Sequence, residues 1–313
     1  MRAVTASPAN EPFHGLGCNS CGARLNVPPD ERTARCPYCA SPNIVMRPRA
    51  DGEDPTFAVG FVLPDNVARE RARKWIRGAW FSPGAFLRSD VTAIRGVYVP
   101  AYMFTAEAHV KYTVSIGENY VVIETYTTTD SKGRLVTRTR TKTVTEWRGL
   151  SGQWASYIDD VFVTASKGLH NTELEAIEPF DTRALKRYSP KLLSGWIAED
   201  PSMTATQCLE LARAEAVGQI GHRLSDHMPG DRHRGLKYST QLVHEDLELI
   251  LLPIWILAIK YDDESPLVRL LINGQTGALV GQPPRSWIKI TVAVLAVLAA
   301  IALTVMLGTR GVL

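Results

Sequence analysis

Residues 241–261 read QLVHEDLELILLPIWILAIKY. The stretch alternates polar and apolar residues and then becomes continuously apolar, which reads as a long strand entering a core. Leu267–Ile272 is its expected partner, across a turn at Asp262–Ser265. Asn273-Gly-Gln-Thr-Gly277 turns the chain again into Ala278–Val280, and Pro283 and Pro284 end the sheet. A glycine-bearing turn of this kind cradles phosphate when it opens a helix. This one opens none, so it reads as a turn.

Working outward, LPIWILAIKYDDESPLVRLLING (252–274) has an echo in VPAYMFTAEAHVKYTVSIG (99–117). Both begin aliphatic, Pro, any residue, aromatic, and both follow an amphipathic helix. The reading is an α+β body over 56–284 with a weak internal duplication, its helices packed on an antiparallel sheet. The first helix starts at Asp65 or Asn66. Its apolar stripe is Ala68, Ala72, Trp75, Ile76 and Ala79, and Arg69, Arg71, Arg73, Lys74 and Arg77 fill the rest. The basic face over 66–81 reads as solvated, with anionic lipid as the alternative contact. The second helix, Thr204 to Met228, keeps Ala205, Cys208, Leu209, Ala212, Ala216, Ile220 and Leu224 on one face. Cys208 is therefore a core residue and not a nucleophile. His222, His227 and His233 stand five and six residues apart, which matches no common helical ligand spacing.

Between the helices, Phe57–Leu63, Glu107–Ser115, Tyr120–Thr129, Leu135–Trp147 and Asp160–Thr164 read as strands, with a turn at Asp130–Gly133 and a short helix at Thr182–Tyr188. Along 134–148, Arg138, Arg140 and Lys142 share one face and Thr137, Thr139, Thr141 and Thr143 the other. Such a strand discourages edge-to-edge pairing; the alternative is an arm for an acidic partner or for phosphates. Asp159 and Asp160 point oppositely on a strand, a poor start for paired-carboxylate chemistry.

At the front, Cys18-x-x-Cys21 and Cys36-x-x-Cys39 stand fourteen residues apart. This is zinc-ribbon spacing, expected to fill residues 13–47. Two residues between cysteines turn both thiolates toward one metal. Gly22 suits a left-handed backbone after the first knuckle. Pro28, Pro29 and Asp30 turn the hairpin between strands at Arg24–Val27 and Thr33–Arg35, and Asn43–Met46 forms a third strand. Four cysteines close the tetrahedron, so a structural Zn2+ held by Cys18, Cys21, Cys36 and Cys39 is expected and catalytic zinc is not. His14 lies outside the spacing and reads as a loop residue. Residues 47–55, RPRADGEDP, read as a linker.

At the back, ITVAVLAVLAAIALTVML (290–307) carries no charge, follows Arg285, Trp287 and Lys289, and precedes Arg310. It is expected to form a single transmembrane helix over 288–309. The N-terminus has no apolar run to serve as a signal peptide, and the cations flanking the span agree with an inside body. The expectation is a single-pass protein of the inner membrane with its body in the cytoplasm. Five cysteines suit a reducing compartment with a metal site. A net charge of +3 over 313 residues is too small to argue for nucleic acid from the global field.

C-x-x-C-G at 18–22, C-P-Y-C at 36–39, VPAY at 99–102, LPIW at 252–255, and NGQTG followed by G-x-x-P at 273–284 resemble a bacterial family of zinc-ribbon proteins with a C-terminal membrane helix. Its members are labelled as carrying a transcription-factor-B-type zinc ribbon or as primosomal-protein-N′-like. The resemblance implies the zinc-ligand role for the four cysteines and kinship with partners of phage-shock-protein-A-like membrane-stress systems. No G-x-x-x-x-G-K-[ST] loop is present, so helicase activity is not expected. No Ser-His-Asp order or H-E-x-x-H is visible either, and no enzyme is expected. The function expected is a membrane-tethered adaptor that docks a cytoplasmic protein partner. The alternative is a nucleic-acid-binding ribbon held at the membrane, resting on Arg69–Arg77 and Arg138–Lys142.

Overall fold

The computed structural model describes residues 14–27, 35–46, 54–129, 133–193, 195–262 and 264–310, with the side chains of His14, Asp160, Leu303 and residues 305–310 excepted. The Pro28–Asp30 turn, most of the Thr33–Arg35 strand, most of the 47–55 linker and the 130–132 part of the Asp130–Gly133 turn lie outside the described residues. In chain order the elements are β1 (His14–Cys18), β2 (Arg24–Val27), β3 (Ile44–Met46), β4 (Phe57–Val59), α1 (Asp65–Gly78), α2 (Gly84–Leu87), β5 (Arg95–Thr129), β6 (Leu135–Thr164), α3 (Asn171–Glu175), β7 (Leu185–Arg187), β8 (Ile197–Glu199), α4 (Ala205–Asp226), β9 (Arg232–Ile259), β10 (Val268–Asn273), β11 (Leu279–Gly281) and α5 (Trp287–Arg310).

Two units divide the chain. The first takes residues 1–103, 162–208 and 248–313. Its strands run in the order β11-β10-β9-β5-β8-β2-β1-β3, with β4 beside β9 and β7. The apolar run of the opening stretch is its centre: Ile250, Leu252, Ile254 and Ile256 are fully buried, packed with Leu25, Val97, Val99, Phe162, Ile177 and Leu271. The other face of β9 and β10 presents Trp255, Leu257, Leu270 and Ile272 to the Ala68, Ala72 and Ile76 stripe of α1. Alanines at two of those three positions let the helix approach the sheet closely. Phe61 stacks on Trp196 at 4.0 Å and meets Trp255 edge-on at 5.1 Å, and the Trp255 indole donates to Leu63 O at 3.0 Å.

The second unit takes residues 104–161 and 209–247, cut from β5, β6, α4 and β9. In it β6 pairs β5. Its helix buries Ala212, Ala216, Ile220 and Leu224, as the spacing predicts. Gly221 sits where any Cβ would collide with the Tyr238 hydroxyl, so glycine there permits the contact of helix and strand.

Three expectations need correcting. The sheet is mixed and not antiparallel: β4 runs parallel to β9 (Phe57 opposite Ile250) and β5 parallel to β8 (Val97 opposite Ile197). The connection from β4 to β9 carries α1, α2, α3 and α4, and that from β5 to β8 carries β6, α3 and β7; parallel neighbours need long crossovers of this kind. Second, the strands expected at Glu107–Ser115 and Tyr120–Thr129 are one strand, β5. Gly117 keeps it continuous, since a side chain there would strike Thr145 and Trp147. Likewise β6 absorbs the strand expected at Asp160–Thr164.

The third correction concerns the tail. Residues 287–310 form α5, but among the described residues no helix is long and apolar enough to cross a membrane. The stretch also starts with Trp287 and Lys289, and the lysine is bound to Trp80 O and Ser82 O at 3.2 and 2.6 Å. The transmembrane helix at 288–309, the single-pass anchor, the inner-membrane location with a cytoplasmic body, and the membrane and phage-shock-protein-A-like partners are therefore not upheld.

Candidate metal centre

The two knuckles are built alike. Cys18 closes β1, its carbonyl accepts Gly22 N–H at 2.9 Å, and Gly22 takes φ of +80°. The Cys36 carbonyl accepts Ala40 N–H at 2.8 Å, and Ala40 takes φ of +52°. A left-handed residue just past each second cysteine turns the chain back so that both thiols of a pair face inward. Glycine meets this need in the first knuckle without steric cost. Alanine meets it in the second under strain.

The result is a cluster in which all four Sγ atoms lie within 4.8 Å of one another, close enough to bind a metal ion. Cys18 and Cys39 stand 3.6 Å apart, Cys21 and Cys36 3.7 Å. Those separations are far beyond a disulfide's roughly 2 Å. They match the edge, about 3.8 Å, of a tetrahedron of sulfurs placed about 2.3 Å from a central ion. Cys18 and Cys36 are buried, Cys21 and Cys39 half-buried. The thiols also titrate as a ligand set. A hydrogen bond from Cys36 pulls Cys21 down to about 5, the same contact holds Cys36 protonated, and burial pushes Cys39 up to about 11. A divalent cation bound there would displace the protons that this shared charge leaves in place.

The knuckles do not stand alone. β2 continues into the body through β8, with Leu25 opposite Glu199 and Asn26 opposite Ala198. Tyr38, between the second pair of cysteines, is fully buried, and its hydroxyl donates to Glu199. The other oxygen of Glu199 accepts from Ser166 Oγ at 2.7 Å. Gly168 leaves room for the Tyr38 ring, which a Cβ would approach to 3.0 Å. Arg269 of β10 closes the arrangement. Its guanidinium donates to Tyr38 O at 3.1 Å, Gly168 O at 2.9 Å and the Glu173 carboxylate at 2.8 Å. Burial pushes the Glu199 carboxyl up to about 8. Tyr38, Ser166, Glu199 and Arg269 carry no signal in the sequence. Only the position of Tyr38 inside the knuckle could have drawn attention to it.

The remaining candidates are placed elsewhere. Cys208 is buried, its thiol 3.6 Å from Thr164 O and its pKa raised by burial to about 11. His233 bonds the Ser225 hydroxyl at 3.0 Å and His227 stacks on Trp154, while His222 lies on α4; none joins a metal-ligating group among the described residues. Asp159 is exposed on β6. On α1, Arg69 binds Asp65 at 2.6 Å and Arg71 binds Gly277 O at 2.5 Å. On β6, Arg140 and Lys142 both reach Glu124, at 2.7 and 3.5 Å. Arg69, Arg71, Arg140 and Lys142, on the two basic stretches for which lipid, phosphates or nucleic acid were the alternative contacts, are thus met within the chain. The 273–277 segment is a turn: Asn273 Oδ1 accepts from Gln275 N and Thr276 N at 2.8 and 3.1 Å.

No family model matches the chain, and no solved structure does. A curated relative, "Uncharacterized protein YdjG" of Bacillus subtilis (strain 168), is 24% identical over 240 residues, 74% of this chain and 64% of that protein. The chain is therefore similar to less than two thirds of that relative's length.

Proposed function

We propose that the chain is a zinc-ribbon docking scaffold: a structural Zn2+ on Cys18, Cys21, Cys36 and Cys39 fixes the knuckles, and the protein acts by binding a protein partner. The observation that carries this reading is the closed set of four sulfurs. It leaves no position on the ion for water or substrate, so the metal's role is to hold shape. The strand order supports docking. β3 ends the strand path, pairs only β1 among the described residues, and exposes Val45 and Met46, the latter at 76%. An apolar edge strand offers backbone groups to a strand from another chain.

Two measurements test it. Elemental analysis of the purified chain should find one zinc per chain, lost in Cys36→Ser with Cys39→Ser. Crosslinking and mass spectrometry in cells should recover a specific partner from the native chain. Val45→Lys with Met46→Lys should lose that partner while keeping the zinc. A metal-free native chain, or the same partner recovered from both variants, would sink the reading.

A further inference from the structure

The helix α5 is held at its base and stands clear beyond it. Lys289 donates to Trp80 O and Ser82 O, Ser286 N–H donates to Phe81 O at 2.6 Å, and the Ser82 hydroxyl donates to Pro284 O at 2.6 Å. Ser286, Lys289, Ile290 and Ala293, at helical spacing, form its half-buried face. From Val294 to Ala302 every residue is apolar and every residue is exposed. A helix apolar on all sides is ordinarily covered, because packing and not propensity supplies most of a helix's stability. None of the described residues covers this one.

The uncovered area is large enough to define an interface. Val292, Val294, Leu295, Val297, Leu298 and Ile301 each keep more than half of their surface open. At the base, Trp80, Phe81, Trp287 and Ile288 are also more than half open. Together these side chains expose on the order of 1,000 Å2, at roughly 100 Å2 apiece. The largest apolar patch on an ordinary monomer is about 300–600 Å2. A stable pair buries about 800 Å2 on each partner, so the area suffices for one. The pattern says which side closes. Trp287, Val294, Leu298 and Ile301 recur at intervals of seven, four and three residues, the spacing of a two-helix seam. At about 100° per residue that row lies about a quarter-turn from the body-facing side, so the body leaves it free. Residues 290–302 carry no charge to select a charged partner. An identical helix matches them, since the same row offered twice meets itself across a two-fold axis.

We propose that α5 pairs with α5 of a second copy of this chain along the row of Trp287, Val294, Leu298 and Ile301. The pairing uses neither the sulfur cluster nor the β3 edge, so it and the docking reading stand or fall separately. Sedimentation equilibrium of the full metal-loaded chain in detergent-free buffer tests it, with and without phosphatidylcholine vesicles. The native chain should reach twice the chain mass at micromolar concentration and stop there. Val294→Glu with Leu298→Glu should weaken pairing by about a hundredfold or more, since the carboxylates of both copies would meet in a dry seam. Val292→Glu with Ala296→Glu, on the opposite side of the helix, should weaken it by less than about threefold. All four positions are exposed in the single chain, so both variants should keep the native zinc content. A native chain that stays single, or that grows without limit, overturns the proposal. So does a seam variant that pairs like the native chain, or equal loss of pairing in the two variants. Uptake of the native chain by the vesicles in place of pairing overturns it as well.

Discussion

Replacing Glu199 by Gln should change how stability depends on pH. Glu199 is 2% exposed, and burial is the chief reason its carboxyl titrates at about 8 instead of 4.5. Between those two values the folded chain keeps a proton that the unfolded chain has released. Stability must then fall as pH rises across the window, by about 1.4 kcal/mol per pH unit and up to about 5 kcal/mol in all. Below pH 4.5 both states are protonated and the dependence vanishes; above 8 the loss is complete. Glutamine keeps the shape and has no proton to lose, so the variant should lack this dependence. Urea unfolding of both chains from pH 5 to 8.5 measures it, and the cysteines, common to both, drop out of the difference. The native chain should lose stability relative to the variant steadily with pH. Parallel profiles would refute the argument, because they would mean that the carboxyl is solvated or already ionised in the folded state.

The other expectations concern the same supports. Arg269→Ala removes three hydrogen bonds around Tyr38 and should cost about 2–4 kcal/mol and speed metal transfer to a chromogenic chelator; Arg269→Lys should recover only part, lacking the fork that reaches several acceptors. Ala40→Gly relieves a left-handed alanine and should stabilise by up to about 1 kcal/mol in urea unfolding, whereas Gly22→Ala should cost about 1–2 kcal/mol. Asn273→Ala deprives Ile177 O and Pro179 O of their buried donor and frees the turn, and a loss of about 2–3 kcal/mol is expected by thermal unfolding.

The parts of the molecule legible in the sequence are those fixed by neighbours in the chain. The C-x-x-C spacing anticipates the sulfur cluster because each knuckle is a five-residue turn. The α1 stripe and the α4 face follow from helical period, and the apolar run before Trp255 follows from continuous burial. What was missed depends on partners far away. Ile197–Glu199 is three residues long, too short to show a period, yet it joins the ribbon to the body. Glu199 and Arg269 look like surface charges until Tyr38 is placed between them. Gly117 looks like a turn residue, and only its cross-strand neighbours reveal that it lets β5 run on. At the tail, an uncharged run invited a bilayer, but among the described residues no helix is long and apolar enough to cross one.

The fastening of the second knuckle by Arg269 also sets an order of events during synthesis. Tyr38 and Arg269 are 231 positions apart, and Tyr38 and Glu199 are 161. While the ribosome is still making the middle of the protein, the four thiols have emerged but neither the acid nor the guanidinium that steadies them has. An ion captured then would sit in a knuckle without those supports. The clamp on Tyr38 closes only when β10 arrives, so completion of the back end would tighten what the front end holds.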